Sequence, residues 1–65
     1  MILRSGFKLK TDAHLDMAMM NNVTVVAYQA GEALTHGGVI QAHNDFCVTI
    51  DDYHYVKQNC EFKVR

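Results

Sequence analysis

The sequence contains no proline and only two cysteines. Without proline, every backbone N–H group can join a helix or a β-ladder. Two cysteines, Cys47 and Cys60, are too few for the disulfide framework of a small secreted domain. No apolar run approaches the ~18 residues of a transmembrane helix, so no membrane partner is expected. The pattern of a secretory signal peptide is also missing, which favours a reducing cytoplasm as the location.

The chain also lacks an excess of charge of either sign, because it has six Lys and Arg and seven Asp and Glu, for a net charge of −1. This balance argues against a globally basic nucleic-acid binder, and no double-stranded DNA partner is expected. The hydrophobic fraction of 49% is too high for a disordered chain. At 65 residues the chain predicts one domain, residues 1–65, which is small enough that self-association is an expected source of further burial.

The first third of the chain predicts an arm and a helix. Residues 1–10 are interpreted as an extended arm or short strand, because Phe7 to Lys10 alternates apolar and polar side chains. Thr11 and Asp12 have side chains that cap a helix start, and Asn21 suits its end. We therefore predict a helix over residues 12–21.

One face of this helix is apolar and rich in methionine. Leu15, Ala18 and Met19 follow helical spacing, and Met17 and Met20 widen the face. Flexible methionine side chains often serve adaptable binding surfaces. Met17 and Met20 are therefore candidates for protein interaction, with the core face of a helix capping a barrel as the alternative.

The remaining residues, 23–64, predict a barrel of short strands. β-branched and aromatic residues alternate with polar ones between clusters typical of turns. Glycines at positions 31, 37 and 38 mark turns or a bulge, and five short strands with such glycines tend to curl into a barrel. The predicted strands are Val23–Tyr28, Val39–Ala42, Phe46–Ile50, Tyr53–Val56 and Cys60–Arg65.

The fold class is thus mainly β, with an N-terminal arm and one α-helix followed by a five-stranded, strongly bent antiparallel small barrel of the SH3 or Sm-like kind. The predicted core consists of Leu15, Met19, Val23, Val25, Ile40, Val48, Ile50, Phe62 and Val64. Strand alternation puts Cys60 with this core set and Cys47 on the opposite face, so no disulfide is expected between them.

The residues that bind metals are scattered along the chain. They are His14, His36, His43, His54, Cys47 and Cys60, and none forms the closely spaced pair that aims two ligands at one zinc ion. We expect no metal and no other cofactor. A barrel of this size also offers little volume for an enclosed pocket, so no enzyme activity is expected.

One family resemblance spans residues 12–64. An apolar strand at Val23–Tyr28 leads through Gly31 into Gly38–Ile40, and then into a third strand that Asp45 and Phe46 open. With a preceding helix, this order resembles the Sm-like small β-barrel family of the bacterial Hfq type. The family's second motif would correspond to residues 56–60.

The resemblance implies a ring of subunits, joined through their edge strands, that binds U-rich or A-rich single-stranded RNA. Phe46 would stack on a base, and Lys57 and Gln58 would supply polar contacts. From the alternation alone, Phe46 shares a face with Val48 and Ile50, and the alternative interpretation is a core residue.

The sequence therefore supports two functions. The first is a non-enzymatic SH3-like adaptor or regulatory module that binds a protein partner, with Met17, Met20, Tyr53 and Tyr55 as contact candidates, since Tyr and Met are enriched at interfaces. The second is an Sm-like, ring-forming RNA-binding protein using Phe46, Lys57 and Gln58. The state of the edge strands distinguishes these two functions. In a ring, each edge strand pairs with a neighbouring subunit, whereas in an adaptor the edge strands stay free or pair with a strand of the partner.

Overall fold

A computed structural model describes residues 3–65. Met1 and Ile2 of the predicted arm lie outside the described residues. One helix and six strands follow the arm: α1 (Asp12–Met20), β1 (Thr24–Gln29), β2 (Glu32–Ala33), β3 (Gly38–His43), β4 (Cys47–Ile50), β5 (Tyr53–Val56) and β6 (Glu61–Val64). The predicted helix and all five predicted strands are present, and the two-residue β2 is an addition.

The helix begins and ends as its capping residues predict. The Thr11 side chain accepts a hydrogen bond from the backbone N–H of His14, at 3.1 Å. At the other end, Asn22 takes a positive φ of 53°, and the backbone N–H of Asn21 donates to the carbonyl of Met17. These contacts satisfy backbone groups that a helix end leaves unpaired.

All the strands are antiparallel and belong to one curled sheet. Along the sheet the order is β2, β1, β3, β4, β5, and β6 pairs with β1. The register of β3 on β4 shifts between Ile40 and Ala42, which places a bulge at Gln41. Because a bulge bends its strand, β3 can pair with β1 at its start and with β4 along the rest of its length, so the sheet curls into a half-barrel. The mainly β, strongly bent antiparallel architecture predicted from the sequence is confirmed.

The core lies between the helix and the inner face of the sheet. Its buried residues are Leu9, Leu15, Ala18, Val25, Ala27, Ile40, Val48, Ile50, Phe62 and Val64. Met19 and Val23, which the sequence placed in the core, are half-buried at its margin. Leu9 shows that the arm is part of the fold rather than a loose extension.

Four of the five predicted strands begin one residue away from the observed start, and the shift at β4 overturns one interpretation. Strand β4 begins at Cys47, and the ring of Phe46 is 74% exposed rather than aligned with the core face. The cause is local, because the side-chain oxygen of Asn44 accepts hydrogen bonds from the backbone N–H groups of Phe46 and Cys47, both at 2.8 Å. This Asx turn replaces ladder bonds with side-chain bonds. The interpretation of Phe46 as a core residue is therefore incorrect.

Candidate functional site

Strand β5 is an uncovered edge of the sheet. Asp51 and Asp52 both have positive φ, 50° and 67°, as in the tight two-residue turn that joins the two strands of a β-hairpin. In such a hairpin the residues flanking the turn are hydrogen-bonded to each other, and the pattern then alternates. Tyr53 and Tyr55 therefore bond to β4, while His54 and Val56 direct their backbone N–H groups outward. Within residues 3–65, β5 pairs with β4 alone.

Another edge of the sheet, on β6, is covered by the arm. Gly6 N–H donates to the carbonyl of Val64 at 2.6 Å, and Val64 N–H donates to the carbonyl of Phe7 at 2.9 Å. Leu9 N–H donates to the carbonyl of Phe62 at 2.8 Å, and the Leu9 side chain is buried. The ammonium of Lys8 pairs with the carboxylate of Glu61 at 3.1 Å. The β6 edge is thus occupied, whereas β5 pairs on one side only within residues 3–65, as does the exposed two-residue β2 at the other end of the strand order.

A groove of about 360 Å³ runs along the inner face of β5. We call it the Tyr53 groove, and it is lined by Leu34, Thr35, His36, Asp51, Tyr53 and Tyr55. Tyr53 is 69% exposed and Leu34 is 43% exposed, whereas the Tyr55 ring packs edge-to-face on Phe62, with centroids 6.5 Å apart. Two predicted contact residues, Tyr53 and Tyr55, therefore lie together beside the uncovered edge.

The methionine candidates lie elsewhere, on α1. Met20 is 79% exposed and Met17 is half-buried. The helix packs against β3, and neither methionine is among the residues that line the Tyr53 groove. The structure therefore separates the four protein-contact candidates into two surfaces.

A charged cluster fastens the helix to the strands. The ring of His43 lies between two helix carboxylates, with Nε2 in hydrogen-bond contact with Asp16 and Nδ1 3.9 Å from Asp12. The ammonium of Lys57 donates to Asp12 at 2.9 Å. This hydrogen bond and the positive charge of Lys57 lower the pKa of the Asp12 carboxyl below its usual value. Lys57 is thus engaged in an ion pair with a carboxylate of the helix.

Of the three residues predicted to contact RNA, Lys57 lines a second, larger cleft of about 470 Å³, whereas Phe46 and Gln58 are not among its lining residues. Its lining includes the lysines Lys8, Lys10 and Lys57, but also the carboxylates Asp12, Asp45 and Glu61. The backbone N–H of Lys57 donates to the carbonyl of Phe46 at 2.7 Å, so these two residues are neighbours. Gln58 is exposed in the turn that follows. Positive and negative side chains are equal in number around the cleft.

Cys60 also lines this cleft, and Cys47 lies half-buried on β4; both are free thiols. Partial burial raises the pKa of the Cys60 thiol above its usual value, which disfavours the nucleophilic thiolate. Among residues 3–65, no three His, Cys, Asp or Glu side chains are arranged to hold a metal ion. In that same part of the chain, no helix is long and apolar enough to cross a membrane.

Sequence reasoning missed two features of the sheet edges, namely the edge that the arm covers and the position of Leu34 beside β5. The alternation of the arm did predict a strand, but nothing in it indicated which edge the arm would cover. Nothing in the sequence indicated that Leu34, which is distant along the chain from Tyr53, lines the same groove. No family model, no curated protein and no solved structure matches this chain.

Proposed function

We propose that the chain is a non-enzymatic, SH3-like small β-barrel module that binds a protein partner. The observation that carries this proposal is the contrast between the β5 edge and the β6 edge. An exposed edge strand is a template for pairing with another chain, and proteins commonly cover such edges when they are not used. This chain covers β6 with its own arm and leaves β5 uncovered.

The side chains beside the uncovered edge support the same function. Tyr53, Leu34 and Val56 are large apolar side chains that are 69%, 43% and 42% exposed. Aromatic side chains are enriched in protein interfaces, where they supply contact area at small entropic cost. A strand added at β5 would cover Tyr53 and Leu34 on the groove side and Val56 on the other face, whereas the isolated chain exposes them to water.

The covered edge also bears on self-association. A head-to-tail ring built by strand pairing needs two free edges on every subunit. Here the arm occupies the β6 edge through Gly6, Phe7 and Leu9. A single partner at β5 needs no such rearrangement.

The test is protein capture on immobilised chain from a lysate, comparing the wild type with two variants at one position. The change H54P removes the outward N–H of β5, at a place where an edge strand tolerates proline. The matched control H54A also removes the hydrogen bond between His54 and Thr49 but keeps that N–H. A partner retained by wild type and H54A and lost by H54P supports the proposal. Retention of no protein above empty resin contradicts it.

A second candidate is Sm-like binding of U-rich or A-rich single-stranded RNA, which the 74% exposure of Phe46 favours. An exposed aromatic ring next to a lysine is a platform on which an unpaired base can stack. The balancing carboxylates Asp12, Asp45 and Glu61 weaken phosphate binding at this cleft. A fluorescence titration with U-rich and A-rich oligonucleotides tests this, with F46A as the variant and Y53A as the control. Salt-dependent binding that F46A alone abolishes would support RNA over a protein partner.

A further inference from the structure

We propose that β5 accepts an extended peptide as an additional strand, with a large apolar side chain in the Tyr53 groove and a Lys or Arg beside the Asp51–Asp52 turn. This inference rests on the proposed function, because it assigns the chemistry of the protein partner. Strand addition to an exposed sheet edge is a common mode of peptide recognition, in which backbone bonds give affinity and side-chain pockets give specificity.

The backbone of β5 offers a short binding register. Outward-facing groups are the N–H and C=O of His54 and the N–H of Val56. The carbonyl of Val56 is already used, because it accepts a hydrogen bond from Asn59 N–H at 3.1 Å. Pairing therefore ends at Val56, and side-chain contacts must supply much of the affinity.

The groove defines which side chain is recognised. In paired strands, neighbouring side chains lie on the same face of the sheet. A partner residue aligned with the inner face of β5 would thus enter the Tyr53 groove, against the exposed parts of Leu34 and Tyr53. These surfaces are apolar and aromatic, so a Leu, Ile, Phe or Tyr side chain fits better than a charged one.

The acidic turn defines the charge of the partner. The ion pairs among residues 3–65 are Lys8 with Glu61, Lys57 with Asp12, and His43 with two helix carboxylates, and none involves the turn. Asp51 and Asp52 are exposed and adjacent, at the end of β5. Two unpaired carboxylates at one end of a binding edge favour a cation on the ligand there and disfavour an acidic peptide.

The experiment selects 12-residue peptides from a random phage-displayed library on the wild-type chain and measures Kd for the enriched peptides by fluorescence anisotropy. We expect sequences that alternate large apolar residues with others and carry Lys or Arg at one end. The change H54P should raise Kd at least tenfold and L34S several-fold, while H54A leaves it within twofold. The double change D51N/D52N should raise Kd severalfold at low salt and flatten its salt dependence, and asparagine keeps the positive φ of the turn.

A second measurement uses only the wild-type chain, so it holds even if H54P fails to fold. One selected peptide is synthesised with single N-methylated amides along its length. If the peptide adds as a strand, methylation weakens binding at alternate positions, since alternate amides face β5.

The outcomes separate the inference from the proposed function. Enriched peptides that bind H54P and L34S as tightly as wild type, with no alternation in the methyl scan, overturn the inference and leave protein binding at another surface. Enriched peptides that are acidic overturn the assigned charge of the ligand. Enrichment of no peptide, together with capture of no protein from the lysate, contradicts both proposals.

Discussion

Gly38, at the start of β3, lies against the hairpin that carries the proposed binding edge. A Cβ atom at this position would sit 2.5 Å from the Asp51 carboxylate and 2.8 Å from the Ile50 side chain. Real Cβ atoms do not approach other atoms this closely, so any larger residue must displace the side chains of Asp51 and Ile50, of which Ile50 is fully buried. Glycine here is required by space and not by backbone conformation.

We therefore predict that G38A lowers the free energy of unfolding by about 1–3 kcal/mol, the usual cost of overpacking. Urea denaturation followed by circular dichroism measures this. The control is G31N, because Gly31 has a φ of 82° that asparagine tolerates and no neighbouring atom within 4 Å of a Cβ. If G38A were as stable as G31N, the neighbouring side chains would be able to move aside without lowering the free energy of unfolding.

A second residue-scale prediction concerns Cys60. Burial raises the pKa of its thiol, so at pH 8 a smaller fraction is thiolate than in an unfolded chain. In a C47S variant, which leaves Cys60 as the one thiol, we expect alkylation by iodoacetamide to accelerate on unfolding in urea. The midpoint of the rate against pH should also be higher in the folded protein. Equal rates in both states would show that the cleft does not shield the thiol.

At the scale of elements, the helix is held to the strands by charge as well as by its apolar face. Asp12 at the start of α1 pairs with Lys57, just after β5, and Asp16 contacts His43 at the end of β3. These contacts link three elements that are distant in the sequence. The packing of Leu15 and Ala18 in the core supplies the remainder of the helix contact.

The Asp12 pair predicts a pH dependence of stability. Lys57 lowers the pKa of Asp12 in the folded state below its unfolded value of about 4, so the pair stabilises the fold fully above that value. The stabilisation is lost as pH falls through the folded pKa. We expect K57M to lower the melting temperature at pH 6, with the difference from wild type shrinking below pH ~4. The control K10M changes a lysine that forms no ion pair among residues 3–65, and a pH-independent effect of K57M would contradict the assignment.

The elements themselves were largely predictable, because their determinants are local. Thr11 and Asn21 define the helix, and the alternation of Phe62 and Val64 defines β6. The error at Phe46 arose because the Asn44 side chain competes with the ladder, which alternation alone does not show. The Tyr53 groove was not predictable, since Leu34 and Tyr53 are distant in the sequence and line one groove only through the tertiary fold.

For the whole molecule, the contrast between the covered β6 edge and the uncovered β5 edge leads to a prediction about association. With β6 covered, we expect the wild type to be a monomer or dimer in solution. The change L9D removes the buried anchor of the arm and should free the β6 edge, so that copies pair β5 to β6 and form larger species.

Light scattering at two salt concentrations measures the mass of the wild type, of L9D and of the control K10D, which places the same charge at an exposed neighbour. Circular dichroism verifies that L9D remains folded. A wild-type mass of about six or seven subunits would instead favour the Sm-like ring. A folded L9D with the mass of wild type would show that the arm does not limit association.

The arm also brings the two ends of the described chain side by side, since Gly6 N–H lies 2.6 Å from the carbonyl of Val64. Because the chain enters and leaves the barrel at one place, the barrel has the geometry of a module that can be inserted into a surface loop of another protein. For the same reason, a short linker between the ends would allow circular permutation. New termini opened at the Asp51–Asp52 turn would sever the β4–β5 hairpin while preserving every other connection, so the contribution of that hairpin could be measured separately.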